Sequence, residues 1–263
     1  MIMSTLLSGA FLALFAASAV ASPVYTTSAT ATSGGGGAPT FSPLSPAEIK
    51  ALQTELLLAA SYKDKEQVLF ADGSGSANNV SFQFVNNPAN PDGSVIVGSV
   101  DSIPGLIGTN VAAAIGFIGP CGLNVPHLHP RANEFLTVVS GTLIGAFLLE
   151  EDAQVAGNIP QVAMTLTNFT GMLFPVGHTH WQFNPTCDQA IFTAAFDSND
   201  EGRFQVAQTF FSSMPDDVLT ASLGNPNFLG PNQLDELRGL IPEPFVVMVD
   251  SCAKACGIST YKK

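Results

Sequence analysis

Between Val80 and Phe211 the chain breaks every few residues into short runs rich in Val, Ile, Phe and Thr, punctuated by Gly, Pro and Asn, and no stretch keeps a helical period. Such a pattern cannot build a helical bundle or a βαβ array, and it constrains the fold to an antiparallel sandwich or barrel. The runs expected to be strands are Val80–Phe84, Ser94–Val100, Val111–Ile118, Phe135–Val139, Leu143–Glu150, Gln161–Leu166, Gly171–Pro175, Ala190–Phe196 and Gln205–Phe211. A helix is expected to open before them at Ser45, where Ser45 and Glu48 make a capping box, Pro46 takes the first helical position and Leu44 can staple from outside, and to run to about Ser61. After Ser213, apolar residues three and four apart in 216–223 and 232–240 predict two short helices. No internal repeat is present, so the chain reads as one all-β barrel domain with an N-terminal helix and two or more short C-terminal helices.

The ends read differently. An apolar run from Leu6 to Val20, too short to span a bilayer comfortably, is followed by the small-x-small triplet Ala19-Val20-Ala21, which predicts a signal peptide over 1–21. The Ser, Thr, Ala and Gly of 22–43, with Gly34 to Gly37 in a row, predict a flexible segment. The domain proper is expected over 44–242 and a tail with a cysteine pair over 243–263. Apolar residues make up 46% and charged residues 11%, ample for a core. With 9 basic against 21 acidic residues the net charge of -12 repels a phosphate backbone, which excludes nucleic acid. The only adjacent basic pair is Lys262-Lys263, so an electrostatic membrane anchor has no support.

Four cysteines in an exported chain predict two disulfides, and four allow three pairings among which sequence cannot choose. Cys252 and Cys256 are close enough to pair locally, which would leave Cys121 with Cys187. Asn79-Val80-Ser81 and Asn168-Phe169-Thr170 are glycosylation sequons that fit the same compartment.

All four histidines fall in two short segments, 126–134 and 175–180. On a strand, residues two apart share a face, so His127 and His129 project toward one point. Glu134, five positions on, has the wrong parity for an unbroken strand, but Pro130 ends the strand and lets Glu134 begin the next one facing inward. Gly177 permits a tight turn before His180, which completes three nitrogens and a carboxylate. His178 has the parity to face inward beside His180, so the residues alone leave the fourth ligand open between them. Mixed nitrogen and oxygen donors with open positions suit Mn, Fe, Co or Ni better than a closed structural zinc site.

The spacing of His127, His129, Glu134 and Gly141, followed by Pro175, Gly177, His180 and Asn184, resembles the two motifs of the germin family of cupins, over about Ser45 to Leu240 and nearest its spherulin-like microbial branch. The resemblance implies a single cupin jelly-roll β-barrel whose metal ligands are His127, His129, Glu134 and His180. It implies Mn(II), which ligand affinity alone would not favour over Fe, Co, Ni, Cu or Zn. It further implies a redox enzyme of superoxide dismutase or oxalate oxidase type acting on a small molecule, or else a metal-stabilised wall or encystment protein without catalysis. A homo-oligomer, trimer or hexamer, follows from the same resemblance. Asn124 matches a substrate-binding asparagine of the oxalate oxidases, while their second pocket asparagine aligns near Ala114. Neighbouring antiparallel strands of the family would bring Cys121 and Cys187 nearly into register, which implies that disulfide. The chain departs from the pattern where Cys121 replaces the Gly that usually opens the first motif, where Gly171 is displaced, and where the N-terminal cysteine pair of plant germins is missing. Trp181 is expected to point away from the site, Arg131 to pair with a surface carboxylate, and Asn184 to close a turn.

Overall fold

The computed structural model of the chain describes residues 40–71, 73–153 and 161–259. The expected signal peptide over 1–21 and all of the flexible segment except 40–43 lie outside the described residues.

Ser45 caps α1 (Pro46–Leu58) as expected, with Ser45 N–H donating to the Glu48 carboxylate at 2.7 Å and Glu48 N–H to the Ser45 hydroxyl at 3.3 Å. The helix does not run on. It ends at Leu58, and a second capping box, Ser61 with Asp64, starts α2 (Tyr62–Phe70), a helix beyond the end expected from the sequence.

The sheet region contains β1 (Gly93–Gly98), β2 (Ala112–Ile118), β3 (Gly122–Leu128), β4 (Glu134–Ser140), β5 (Leu143–Leu148), β6 (Gln161–Leu166), β7 (Gly171–Phe174), β8 (His180–Phe183), β9 (Ala190–Phe196) and β10 (Phe204–Gln205). At the expected strand Val80–Phe84, Val80 closes a 3-10 helix (Gly73–Val80) and 81–84 join no ladder, and the expected strand Gln205–Phe211 is α3 (Val206–Ser213) apart from its first residue. That run carries the β-prone residues Val206, Thr209, Phe210 and Phe211 yet joins no ladder, and the helix it forms meets β3 and α5, a tertiary choice that overrides local preference. The two short helices follow as α4 (Asp216–Ser222) and α5 (Pro231–Leu240). The C-terminal segment is not a tail: β11 (Val246–Met248) pairs antiparallel with β3, and α6 (Asp250–Ala255) closes the described chain.

All pairings are antiparallel and form two sheets, one in the order β1-β2-β9-β4-β7, the other β10-β3-β8-β5-β6 with β11 also on β3. Strand alternation sends Ala112, Ala114, Ile118, Leu136, Val138, Phe174, Phe192 and Phe196 of the first sheet and Leu143 and Leu166 of the second into one shared core. Among the described residues no ladder joins the two sheets, so the barrel expected from the sequence is a pair of facing sheets with open edges. Two of the four edge strands are short, four residues in β7 and two in β10, and α3 begins at once after β10.

The expected cysteine pairing is overturned. Cys121 bonds Cys252, and Cys187 bonds Cys256. Helix α6 places Cys252 and Cys256 four residues apart on one face, a separation of about 5–6 Å between Cβ atoms where a disulfide needs about 3.8 Å. Register rules out the other expected bond: Leu123 lies opposite Phe183, and Cys121 N–H donates to Thr186 O at 3.0 Å, so Cys187 stands past the position facing Cys121. Cys121 itself has φ +57°, the left-handed region where an L-residue is strained by roughly 1–2 kcal/mol and which glycine enters freely. That backbone suits the Gly that usually opens the motif this segment resembles. Here a disulfide to Cys252 holds the buried Cys121 in that conformation.

One sequon is closed as well. Asn79 is buried and its amide donates to Leu69 O at 2.7 Å, so the folded chain does not present it to a glycosylating enzyme. Asn168 is exposed in the turn between β6 and β7.

Candidate metal centre

His127 and His129 keep one face through the end of β3 and are 4% and 5% exposed, whereas Leu128 between them is half-buried on the other side. His180 opens β8 directly opposite His127. These three imidazoles come from one sheet. The carboxylate comes from the other, because Glu134 is the first residue of β4, 3% exposed, between Phe174 of β7 and Phe196 of β9. The four donor atoms lie within 4.8 Å of one another and join the two layers across the core.

Local sequence places each side chain. Pro126 has no N–H for the ladder, and the β3–β8 register shifts between Asn124 and His127, so these residues, three apart, both face inward. Gly177 takes φ +76° in the turn before β8, and its N–H donates to His129 O at 2.9 Å, fixing the turn to the end of β3. His178 lies on this turn, half-buried and outside the cluster, so His180 and not His178 joins the converging donors.

The hydrogen bonds define which nitrogen faces inward. His127 Nδ1 lies 2.7 Å from Val125 O, His129 Nδ1 2.6 Å from Gly202 O, and His180 Nδ1 2.9 Å from His178 O. A carbonyl accepts only, so each Nδ1 carries a proton and donates it, and each Nε2 presents its lone pair to the interior. Glu134 Oε2 sits 3.0 Å from His129 Nε2 and 3.1 Å from His180 Nε2. Four electron pairs thus converge in a buried space, an arrangement that is repulsive unless a proton or a cation lies between them. The spacings suit a cation: ligands about 2.1 Å from an ion and at right angles are about 3 Å apart.

Electrostatics agree. Burial, with His180 next and His129 contributing, pushes the His127 imidazole down to about 3, so it stays a neutral donor at physiological pH. Burial opposes ionisation of Glu134, but the adjacent His129 and His180 side chains outweigh it and hold the carboxyl well below the usual carboxylate range. Aromatic rings seal the cluster, Phe174 stacking on His180 at 4.7 Å and Phe196 meeting His129 edge-on at 4.8 Å.

Asn124 is buried beside the cluster, but its amide donates to Gln182 Oε1 at 2.6 Å and is not itself free. Sequence reading missed Gln182, which is fully buried two residues after His180 on the same face, with an Nε2 that has no partner. Its parity with His180 was the available signal. Arg131 pairs at the surface with Asp200 at 2.6 Å, and Asn184 ties the turn after β8 to Ile118 O and Gly119 O at 3.2 and 2.9 Å. Trp181 points to the opposite face from His180 and is half-buried.

Two facing antiparallel sheets that gather three histidines from one layer and a glutamate from the other define the cupin class. A family model described as Cupin matches residues 83–226. Spherulin-1A of Physarum polycephalum is 33% identical over 212 residues, covering 79% of this chain and 80% of that protein. Germin-like protein 12-1 of Oryza sativa subsp. japonica is 38% identical over 125 residues, 46% of this chain and 54% of that one. Among solved structures, oxalate oxidase superposes with a TM-score of 0.53 at 26% identity over 60% of this chain and 76% of its own. The chain belongs to the cupin family, and within it to the germin- and spherulin-like proteins.

Proposed function

We propose that the chain is a secreted manganese-binding cupin whose metal is held by Nε2 of His127, His129 and His180 and by the carboxylate of Glu134, and that it oxidises a small carboxylic acid or disproportionates superoxide. The observation that carries this reading is the locked set of three Nδ1–H···O=C bonds, which turns three Nε2 atoms and one carboxylate toward a common point. A bound manganese ion would supply a Lewis acid and a one-electron couple. The chain's own residues exclude bulk water through Phe174 and Phe196 and offer one buried donor without a partner, Gln182 Nε2, to an acceptor oxygen of a ligand. Manganese in preference to Fe, Co, Ni, Cu or Zn rests on similarity to germin-type proteins, and the substrate class on similarity to oxalate oxidase. Two disulfides and an exposed Asn168 sequon support export and glycosylation. Assembly into a trimer or hexamer draws support from apolar side chains on the outer face of the first sheet, among them Phe135 and Leu173, both about half exposed.

A second reading has its own observation. Because the ligands come from both sheets, an ion would cross-link the core, which suits a metal-stabilised structural protein such as similarity to a spherulin suggests. Elemental analysis of the purified secreted chain should find about one manganese per chain. Hydrogen peroxide release with oxalate, and superoxide consumption, then separate the readings. Loss of one activity in His127→Ala with His180→Ala supports the enzyme, and a loaded but inert wild type supports the structural protein.

A further inference from the structure

The two disulfides are not independent. Cys121 Sγ, bonded to Cys252, is in contact at 3.6 Å with Cys256 Sγ, bonded to Cys187, so the four sulfurs form a chain from Cys252 through Cys121 and Cys256 to Cys187. Burial is graded along it. Cys187 is exposed, Cys252 and Cys256 are half-buried, and Cys121 is fully buried. Both bonds end on α6 and its C-cap, and they tie that helix to two strands at once: Cys121 immediately precedes β3, and Cys187 lies four residues after β8. Val249 N–H donates to Cys121 O at 2.9 Å and β11 lies along β3, so the connection between α6 and β3 is also held by backbone bonds. Among the described residues no backbone ladder joins α6 to the turn carrying Cys187.

We propose that these four cysteines are a thiol–disulfide relay in which reduction at the exposed Cys187 passes inward and rewires the clamp. A dithiol reductant attacks Cys187 Sγ, forming a mixed disulfide and expelling Cys256 as a thiolate; its second thiol then closes on the first, releasing Cys187 as a thiol and the oxidised cyclic reductant. The Cys256 thiolate, already in contact with Cys121 Sγ, attacks it, the Cys121–Cys256 bond forms, and Cys252 leaves as a thiolate that takes up a proton. Two electrons enter from the dithiol and one disulfide is lost in total. The turn after β8 is freed from α6 while β3 stays tied to it, so the two strands that face each other at His127 and His180 cease to share a covalent clamp.

The full native chain treated with less than one equivalent of dithiothreitol, quenched in acid, labelled with a maleimide and digested with trypsin tests this. Arg131, Arg203 and Lys254 separate all four cysteines onto different peptides. The expected singly reduced chain carries label on Cys187 and Cys252 and a cross-linked peptide joining Cys121 to Cys256. Label on Cys187 and Cys256, with Cys121 found only with Cys252, would overturn the relay. The Cys187→Ser variant traps the same step without reductant: its free thiol is expected at Cys252, and a free thiol confined to Cys256 counts against the proposal. Should that variant not fold, limiting reduction of the unaltered chain still decides.

Discussion

Acidifying the metal-free protein tests the electrostatic reading of the site most directly. His127 titrates near its ordinary 6.5 in the unfolded chain but at about 3 when folded, because burial and the neighbouring imidazoles disfavour its charged form. A histidine with a depressed folded pKa binds its proton preferentially when unfolded, so it destabilises the fold as pH falls. The contribution is absent above about pH 6.5, grows as pH drops below it and levels off near pH 3. Each unit corresponds to about 1.4 kcal/mol, so His127 alone should remove about 3 kcal/mol by pH 4, a large part of a total stability of about 5–15 kcal/mol. Glu134, with its lowered pKa, acts in the same direction, its stabilising contribution being lost as pH falls below its unfolded value of 4.5. The assay is urea denaturation of chelator-treated protein at pH 7, 6, 5 and 4, wild type against His127→Gln, a residue of similar reach that does not titrate. The variant should lose stability with falling pH less steeply than wild type, by about 3 kcal/mol at pH 4 relative to pH 7. Parallel curves for the two proteins would refute the claim that this imidazole is kept neutral by burial.

Metal loading should stabilise the chain, because an ion bound by both sheets adds about 4 kcal/mol when present at a thousandfold excess over its Kd; a chelator that leaves the melting temperature of the loaded protein unchanged would count against a bound ion. Phe174→Ala removes a fully buried ring stacked on His180 and should cost about 3–5 kcal/mol by calorimetry, with weaker metal retention by equilibrium dialysis. Asn184→Ala leaves the carbonyls of Ile118, Gly119 and Asp188 without the amide they share and should destabilise by about 1–3 kcal/mol in urea. Glycopeptide mass spectrometry of the native protein should find sugar on Asn168 and none on Asn79, whose amide is spent on Leu69 O.

The site was legible because its spacing follows strand geometry. His127 and His129 share a face by simple alternation, Pro130 accounts for the parity of Glu134, and Gly177 marks the turn that delivers His180. The first helix was equally plain, since a capping box is a local signal with local causes. What escaped depends on neighbours that no short window contains. Residues 206–211 have the composition of a strand, yet they join no ladder and fold as α3 against β3 and α5. Gln182 becomes notable only once burial leaves its amide without a partner.

The cysteines make the same point with covalent bonds. Sequence distance suggested that Cys252 and Cys256 would join each other, but once that stretch winds into a helix the two thiols stand side by side and each must reach outward for a partner. The segment expected to hang as a tail therefore becomes the piece that binds β3 to the turn after β8, through β11 and both disulfides. Those two strands carry three of the four converging side chains on or next to them, so the C-terminal clamp and the candidate metal centre constrain the same pair of strands from different ends: Cys121 before β3 and Cys187 after β8 at one, His127, His129 and His180 at the other. The pairing register of β3 with β8 is consequently held twice over, once by covalent bonds and once by the site itself.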